Sequence, residues 1–286
     1  SSDLDNMGEV LNQGFELQVR GEVLRNRDWL VALWGNMAHN KNKIMKISDS
    51  QRAYNQRVKD FYQKAINEQA YSSYDPQYGV PIAQYEEGQS LTSIWAVKSL
   101  GIDPTTGKEI FLNRDGSVSD TWNATQEVVV GNTEPKFNGS VGFNVAYKAW
   151  SLFAAFQYEW GGQEYNQTLV DRVENARIQY QNVDLRVLTD RWKQPGDIAQ
   201  FKDIKDADYV TMPTSRFVQD KAYLRLSALT LSYDFNREWI KKHLGMNMLR
   251  LEASTRDFIN WNSIRQERGL SYPKSWTVDF SIKAQF

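Results

Sequence analysis

The stretch from Trp276 to Phe286 constrains the fold of this chain more than any other. It reads Trp-Thr-Val-Asp-Phe-Ser-Ile-Lys-Ala-Gln-Phe. Successive side chains of a β-strand point to opposite faces. Trp276, Val278, Phe280, Ile282, Ala284 and Phe286 therefore make one wholly apolar face, and Thr277, Asp279, Ser281, Lys283 and Gln285 one wholly polar face. An aromatic ring closes the apolar face at each end. At ~3.3 Å per residue the two rings stand ~33 Å apart along the strand, or about 25 Å in height at a tilt of ~40°. That is the height of the apolar band on a transmembrane β-barrel, which carries an aromatic girdle at each water boundary.

The same ruler recurs. Trp150, Leu152, Ala154, Phe156, Tyr158 and Trp160 share a face, as do Phe137, Gly139, Val141, Phe143, Val145 and Tyr147, with a tight turn at Lys148-Ala149 between them. Phe15, Leu17, Val19, Gly21 and Val23 oppose Glu16, Gln18, Arg20 and Glu22; after a turn at Asn26 the apolar face resumes with Trp29, Val31, Leu33, Gly35 and Met37. Leu229, Leu231, Tyr233 and Phe235 form a further face with which Leu224 and Leu226 are out of phase, and a bulge near Ala228 would restore it. Leu249, Leu251 and Ala253 oppose Arg250, Glu252 and Ser254, with Arg256 continuing the polar side.

A soluble antiparallel sandwich also alternates, with its apolar face in a core. Three features favour the membrane barrel. Aromatics mark both ends of several apolar faces. The opposite faces carry charge, as a water-filled lumen would. The connections alternate between very short and very long. Composition agrees. Mean hydropathy is −0.61 and no apolar run approaches the ~20 residues of a transmembrane helix, which excludes a helical membrane protein but not a barrel. Ten Trp, 14 Tyr and 13 Phe suit interfacial girdles. The formal net charge of −1, without a basic tract, gives nucleic-acid binding no support. Without cysteine there is no disulfide frame, and the two histidines, His39 and His243, lie far apart, so neither a histidine metal cluster nor a Ser-His-Asp triad is expected. No nucleophile–base pair, phosphate loop or paired-carboxylate site stands out, and no catalytic residue or cofactor is expected.

About seven membrane strands are expected, at 14–25, 28–39, 136–147, 150–160, 222–235, 247–258 and 275–286. Such a number does not close a bacterial barrel, which has an even count of at least eight. With the last strand descending toward the periplasm, the turns at Asn26, Lys148 and 237–244 become periplasmic. The segments 40–135, 161–221 and 259–274 become extracellular loops. Residues 237–244 read as a short helix ended by Gly245. The opening Ser-Ser-Asp-Leu-Asp is a polar loop rather than an export signal, so the chain is expected to be a piece of a longer protein whose other segments supply the remaining strands.

Several segments carry a family likeness. They are Arg25-Asn-Arg-Asp-Trp-Leu with Asn36-Met-Ala-His-Asn-Lys-Asn-Lys-Ile; Glu87-Gly-Gln-Ser-Leu; Gly101-Ile-Asp-Pro-Thr-Thr-Gly-Lys-Glu-Ile-Phe with Asp115-Gly; Gly131-Asn-Thr-Glu-Pro-Lys-Phe-Asn-Gly; Phe217-Val-Gln-Asp-Lys-Ala-Tyr-Leu-Arg-Leu; and Tyr272-Pro through Phe286. Nearly the whole chain resembles the C-terminal barrel portion of SusC-like (SusC/RagA) TonB-dependent outer-membrane transporters of Bacteroidota; residues 50–75 and 165–212 carry none of the likeness. The resemblance implies a barrel of about 22 strands around an N-terminal plug. It further implies a SusD-like surface lipoprotein as lid, a dimer of such transporter–lipoprotein pairs, and energy from TonB with ExbB and ExbD. The plug and TonB box lie outside this sequence. The expected activity is energy-coupled import of a bulky nutrient, an oligosaccharide first and a peptide as the alternative, against a passive porin or surface adhesin. A plug upstream would separate the importer from the passive barrel.

Candidate site residues follow from position. Glu16, Gln18, Arg20, Glu22, Arg250, Glu252, Ser254 and Arg256 are expected to face the lumen, where cross-strand ion pairing competes with a solute path as their role. Tyr71, Tyr74, Tyr78 and Tyr85 in the first long loop are substrate-contact candidates, since an aromatic face with a polar handle suits stacking on a sugar; packing within the loop is the competing role. Trp29, Trp150, Trp160, Trp276 and Phe286 are expected at the two lipid interfaces. Asn113-Arg-Asp115-Gly-Ser117 opens like a calcium loop, but Ala124 stands where the bidentate glutamate belongs, so a turn with a left-handed glycine is expected and no metal.

Overall fold

The computed structural model describes residues 8–67, 75–206, 209–265 and 276–286. The alternating stretches assemble into one antiparallel meander: β1 (Glu9–Arg25), β2 (Trp29–Lys46), β3 (Phe137–Tyr147), β4 (Trp150–Tyr165), β5 (Val218–Asp234), β6 (Met248–Thr255) and β7 (Val278–Gln285), each beside the next. Among the described residues β1 and β7 each keep one unpaired edge, at opposite ends of the sheet. No described helix is long and apolar enough to cross a membrane.

Register aligns the apolar faces across every strand. Leu17 lies opposite Met37, Leu33 opposite Phe143, Val141 opposite Phe156, Leu152 opposite Leu231, Tyr233 opposite Leu251, and Leu251 opposite Ile282. A slip of one residue at any pair would turn a whole strand over. The phase change in β5 is absorbed at Ser227: pairing jumps from Leu226–Phe156 to Ala228–Ala155. The shared outer face leaves large apolar side chains bare, with Val19 59%, Ile282 71% and Phe280 81% exposed. A continuous bare apolar face of this kind marks contact with another apolar phase.

Aromatic rings line both ends of that face. At the short-turn end Trp29 meets Tyr147 at 4.4 Å between ring centres, and Trp150 meets Tyr233 at 4.7 Å. At the other end Phe15, His39 and Phe137 follow one another at 5.5 and 5.6 Å, Trp160 lies opposite Phe137, and Trp276 meets Phe258 at 5.2 Å. The short turns are made locally. Asn26 Oδ1 accepts from the amides of Asp28 (3.0 Å) and Trp29 (2.8 Å), and Lys148 adopts φ 53°. Between β5 and β6, α2 (Arg237–Leu244) is capped by the Asn236 side chain and ended by Gly245 at φ 66°.

The long-loop end departs from the sequence expectation. Strands β2, β4 and β5 run on through 40–46, 161–165 and 218–221, all expected to be loop. The aromatic ruler stops at the water boundary, but backbone pairing continues beyond it with polar side chains. Conversely β6 stops at Thr255, short of residue 258, because Asp257 takes φ 56° and turns the chain; in the expected loop 259–274, Asn260–Asn262 pairs with β5. The two longest connections fold into a body of their own. Helix α1 (Asp49–Asn67) starts at a reciprocal capping box, Gln51 N to Ser48 Oγ at 3.2 Å and Ser48 N to Gln51 Oε1 at 3.0 Å. Its Val58, Tyr62 and Ala65 pack with Val97, Phe111, Trp122, Ala124 and Met212 as one core; Leu169, Val170, Val173, Phe201 and Phe217 form a second.

Candidate functional site

The inner face of the sheet is polar and paired. Glu16, Gln18, Arg20 and Glu22 lie opposite Ala38, Asn36, Trp34 and Ala32. Arg250 sits between Asp234 and Lys283 in register, and its Nε donates to Asp234 Oδ1 at 2.5 Å. Glu252 accepts from Lys283 Nζ at 2.7 Å, and Ser254 lies between Thr230 and Asp279. Arg256 lies just past the end of β6, exposed. Higher on the same face Lys221 Nζ is 3.2 Å from Glu164 and 3.7 Å from Glu159, and Arg225 donates to Gln157 at 2.6 Å.

Two aromatics lie on this polar face: alternation along 150–160 already puts Phe153 there with Ser151, Ala155, Gln157 and Glu159, whereas Trp34 is one the sequence reading does not include. Trp34 and Phe153 stack with ring centres 6.4 Å apart and planes 13° from parallel. The Trp34 ring lies on the backbone of Gly142: a Cβ there would come 2.5 Å from both the ring and the Ala154 carbonyl oxygen. Glycine is thus required for the indole to lie flat on the wall. The signal was available, since Trp34 breaks the phase of Trp29, Val31 and Leu33, and an apolar residue on the polar phase is informative for that reason.

Above the wall, the two long loops are joined by buried polar contacts. Val97 and Thr214 form a parallel bridge, with Val97 N to Pro213 O at 3.1 Å and Ser215 N to Val97 O at 3.0 Å. Trp122 Nε1 donates to Pro213 O at 2.9 Å. The Arg216 guanidinium lies between Glu109 (2.8 Å) and Glu174 (2.6 Å), all three side chains at most 10% exposed. Burial alone would raise the Glu174 carboxyl, but Arg216, Lys202 and Arg191 hold it below the usual range. Burial, together with the Arg216 and Arg191 charges, pushes the Lys202 ammonium down to about 8 against the pull of Glu174. On the other side of the body Glu127 is buried; burial lifts its carboxyl to about 7, although Gln84 donates to Oε2 at 2.5 Å and Lys59 and Arg114 oppose the rise.

Of the loop tyrosines, Tyr71 and Tyr74 lie outside the described residues. Tyr78 packs on Phe61 of α1 at 4.8 Å, and Tyr85 lies 5.6 Å from Tyr54, its backbone bracketed by the Asn55 amide at 2.6 and 2.9 Å. The Asn113–Ser117 segment is a hairpin turn, with Asn113 N to Ser117 O at 2.9 Å and Gly116 at φ 85°. Trp29, Trp150, Trp160, Trp276 and Phe286 are all exposed, between 41% and 80%.

No protein-family model matches the chain. Two curated relatives do, both from Formosa agariphila. TonB-dependent receptor P3 is 24% identical over 268 residues, which is 91% of this chain and 25% of that protein. TonB-dependent receptor P39 is 20% identical, over 98% of this chain and 31% of its own. Solved structures of the RagAB peptide importer superpose with TM-scores of 0.70 in the open-open state and 0.69 in the closed-closed state, at 18% and 17% identity. They cover 97% and 98% of this chain and 29% and 30% of the solved chains. The chain is thus similar in sequence to TonB-dependent receptors and in fold to the RagAB importer. The fold is a stretch of their β-barrel wall, and the chain spans about a quarter to a third of the length of the relatives it matches. These relatives are named receptors and importers, not enzymes.

Proposed function

We propose that this chain forms part of the barrel wall and folded outer loops of an energy-coupled outer-membrane importer for a bulky nutrient. The observation that carries the reading is the outer face: seven strands in one register, apolar throughout, with an aromatic row at each end, backed by a charged inner face. Lipid on one side and water on the other is the environment that selects such a sheet. Trp29, Trp150, Trp160, Trp276 and Phe286 then sit at the lipid–water boundaries, and Glu16 to Glu22 with Arg250, Glu252 and Ser254 face the lumen. The loop body is the platform on which a SusD-like lipoprotein lid would close, and TonB would act through parts of the transporter outside this chain.

A peptide is favoured over an oligosaccharide as cargo. Tyr78 and Tyr85 are engaged with α1 rather than offered to a sugar ring. A cavity of about 440 Å3 in the second long loop is lined by Ile178, Val183, Leu185, Val187, Leu188 and Trp192, a surface suited to aliphatic side chains rather than hydroxyls. Uptake by cells carrying the complete transporter tests both levels. Peptide uptake that collapses when the proton-motive force is removed is expected. Uptake indifferent to energy would mean a passive barrel, and energy-dependent uptake of oligosaccharides alone would overturn the cargo.

A further inference from the structure

The outward side of β2 changes character where it leaves the apolar band. Trp29, Val31, Leu33, Gly35 and Met37 are followed on the same face by His39, Lys41 and Lys43. His39 lies in the upper aromatic row between Phe15 and Phe137. Lys41 and Lys43 therefore stand two and four residues above that row, about 5 and 10 Å higher at barrel tilt. Strand β3 ends beside them, and the notch above it is a cavity of about 740 Å3 lined by His39, Lys41, Lys136 and Trp160. The Lys136 stem lies across Gly161, which has φ 81° and whose missing side chain leaves the space it crosses. His39 Nδ1 donates to the Lys136 carbonyl at 2.6 Å and ties the two walls of the notch together.

Its acidic residues are already engaged. Glu134 accepts from Asn40 Nδ2 and Asn42 Nδ2, both at 2.8 Å, and Asp220 accepts from Gln163 Nε2 at 3.1 Å. Lys221, also at the notch, is committed to Glu164 and Glu159. Lys41, Lys43 and Lys136 are exposed and, unlike Lys221 and Lys283, have no carboxylate within 4.0 Å among the described residues. Inward neighbours on β2 show that the lysines are not simply solvated ends: Asn42 is buried and bonded to Glu134 and Ser90, while the alternate positions stay cationic and outward.

We infer that Lys41, Lys43 and Lys136 form a site for the phosphate groups of an anionic glycolipid headgroup in the leaflet at the long-loop end. The inference rests on the reading of the outer face as lipid-covered. Aromatics seat at the boundary, and the next outward side chains meet the phosphate layer, where an ammonium is a strong point-charge partner. Each lysine near an anionic headgroup layer is worth about fivefold in affinity.

The test uses the complete transporter purified from outer membranes with its bound lipid. Co-purifying phosphorylated glycolipid is measured by mass spectrometry, then rebinding to phosphatidylcholine vesicles containing lipid A or dephosphorylated lipid A, with inorganic phosphate as competitor. The triple variant Lys41→Gln/Lys43→Gln/Lys136→Gln should lose bound glycolipid by tenfold or more on the scale of about fivefold per lysine. Lys→Arg at the same three positions should restore it, and Lys148→Gln at the short-turn end should not matter. Wild type should prefer phosphorylated vesicles and resist inorganic phosphate. Unchanged glycolipid in the triple variant, equal loss in Lys148→Gln, or displacement by inorganic phosphate overturns the inference. Failure of the membrane reading shows separately, as wild-type transporter absent from the outer-membrane fraction.

Discussion

The wall and the loop body are held by opposite means. In the wall, order comes from backbone ladders, and its large apolar side chains are bare on the outside, Phe280 at 81% and Trp160 at 70%. In the loop body, order comes from burial: Tyr62, Val97, Val170, Val173 and Phe217 are at 0% exposure, and a buried cluster of charges joins segments far apart in sequence. On the proposed reading the wall takes its stability from a surrounding apolar phase, whereas the loop body brings its own core, as a small soluble domain does. A change that acts on one should leave the other intact.

The sharpest break is at Arg216. Replacing it with Met leaves Glu109 and Glu174 buried without their cation, a loss of about 3–5 kcal/mol. Hydrogen exchange should then accelerate across 93–132 and 166–217, while β1 to β4 keep their protection. Equal acceleration in the wall would show that the two regions unfold as one. If the damage is electrostatic, adding Glu109→Gln and Glu174→Gln to the Arg216→Met variant should restore part of the protection.

The second test uses pH. Glu127 is raised in the folded state from 4.5 to about 7, so between those values the folded body binds more protons than the unfolded chain. Its contribution is fully present below 4.5 and is lost as pH rises through 7, a change on the order of 3 kcal/mol. Lys202 is lowered from 10.5 to about 8; its contribution is present above 10.5 and lost as pH falls through 8. The loop body should therefore be least stable between about pH 7 and 8. Glu127→Gln should flatten the acid side of that dip and leave the alkaline side. Loop-segment exchange followed across pH reads both; a monotonic profile from pH 4.5 to 10.5 would contradict the assignment.

These two regions also differed in how far they could be read beforehand. The wall was legible because a period of two leaves its mark on every residue: the faces of β3, β4 and β7, the bulge beside Ala228, the turn at Lys148 and the Gly245 cap were all visible. The same ruler hid what did not obey it. Trp34 sits on the polar phase, and the upper ends of β2, β4 and β5 lie past the last aromatic. In the loops, a helical signal was present and unread: Ser48 and Gln51 spell a capping box, and Val58, Tyr62 and Ala65 repeat at helical spacing. The contacts of Arg216 with Glu109, 107 positions apart, leave no local trace, because nothing near either residue in sequence reports the other. For the candidate site, position along a strand predicted the side of the sheet but not the partner, so the Arg250–Asp234 and Lys283–Glu252 pairs emerged only with the register.

Within the wall, Gly142→Ala tests whether its inner aromatics matter to assembly. The new Cβ would meet the Trp34 ring and the Ala154 carbonyl oxygen, each at 2.5 Å. Overpacking of this kind costs about 1–3 kcal/mol. Less assembled barrel is expected, seen as loss of the heat-sensitive compact species on a gel, with loop-body exchange unchanged in the molecules that do assemble. Adding Trp34→Ala should recover only part of the yield, since the carbonyl contact remains.

The smallest effect belongs to Ser48→Ala. It removes the hydroxyl that accepts the Gln51 amide at 3.2 Å and leaves the first turn of α1 with an unsatisfied donor, a loss of about 1 kcal/mol. The reciprocal bond, Ser48 N to Gln51 Oε1, does not need the hydroxyl and should survive. Fraying should thus be confined to the first turn, because Val58, Tyr62 and Ala65 anchor the helix farther along. Exchange at Ser50 to Ala53 should quicken about fivefold, which is what 1 kcal/mol gives if opening is local. Glu127 provides the internal control, since its environment is set by burial, Gln84, Lys59 and Arg114, none of which lies in the first turn of α1. A shift in its titration in Ser48→Ala would mean that α1 and the buried carboxyl move together, and the loop body would then be a single cooperative unit from its first turn.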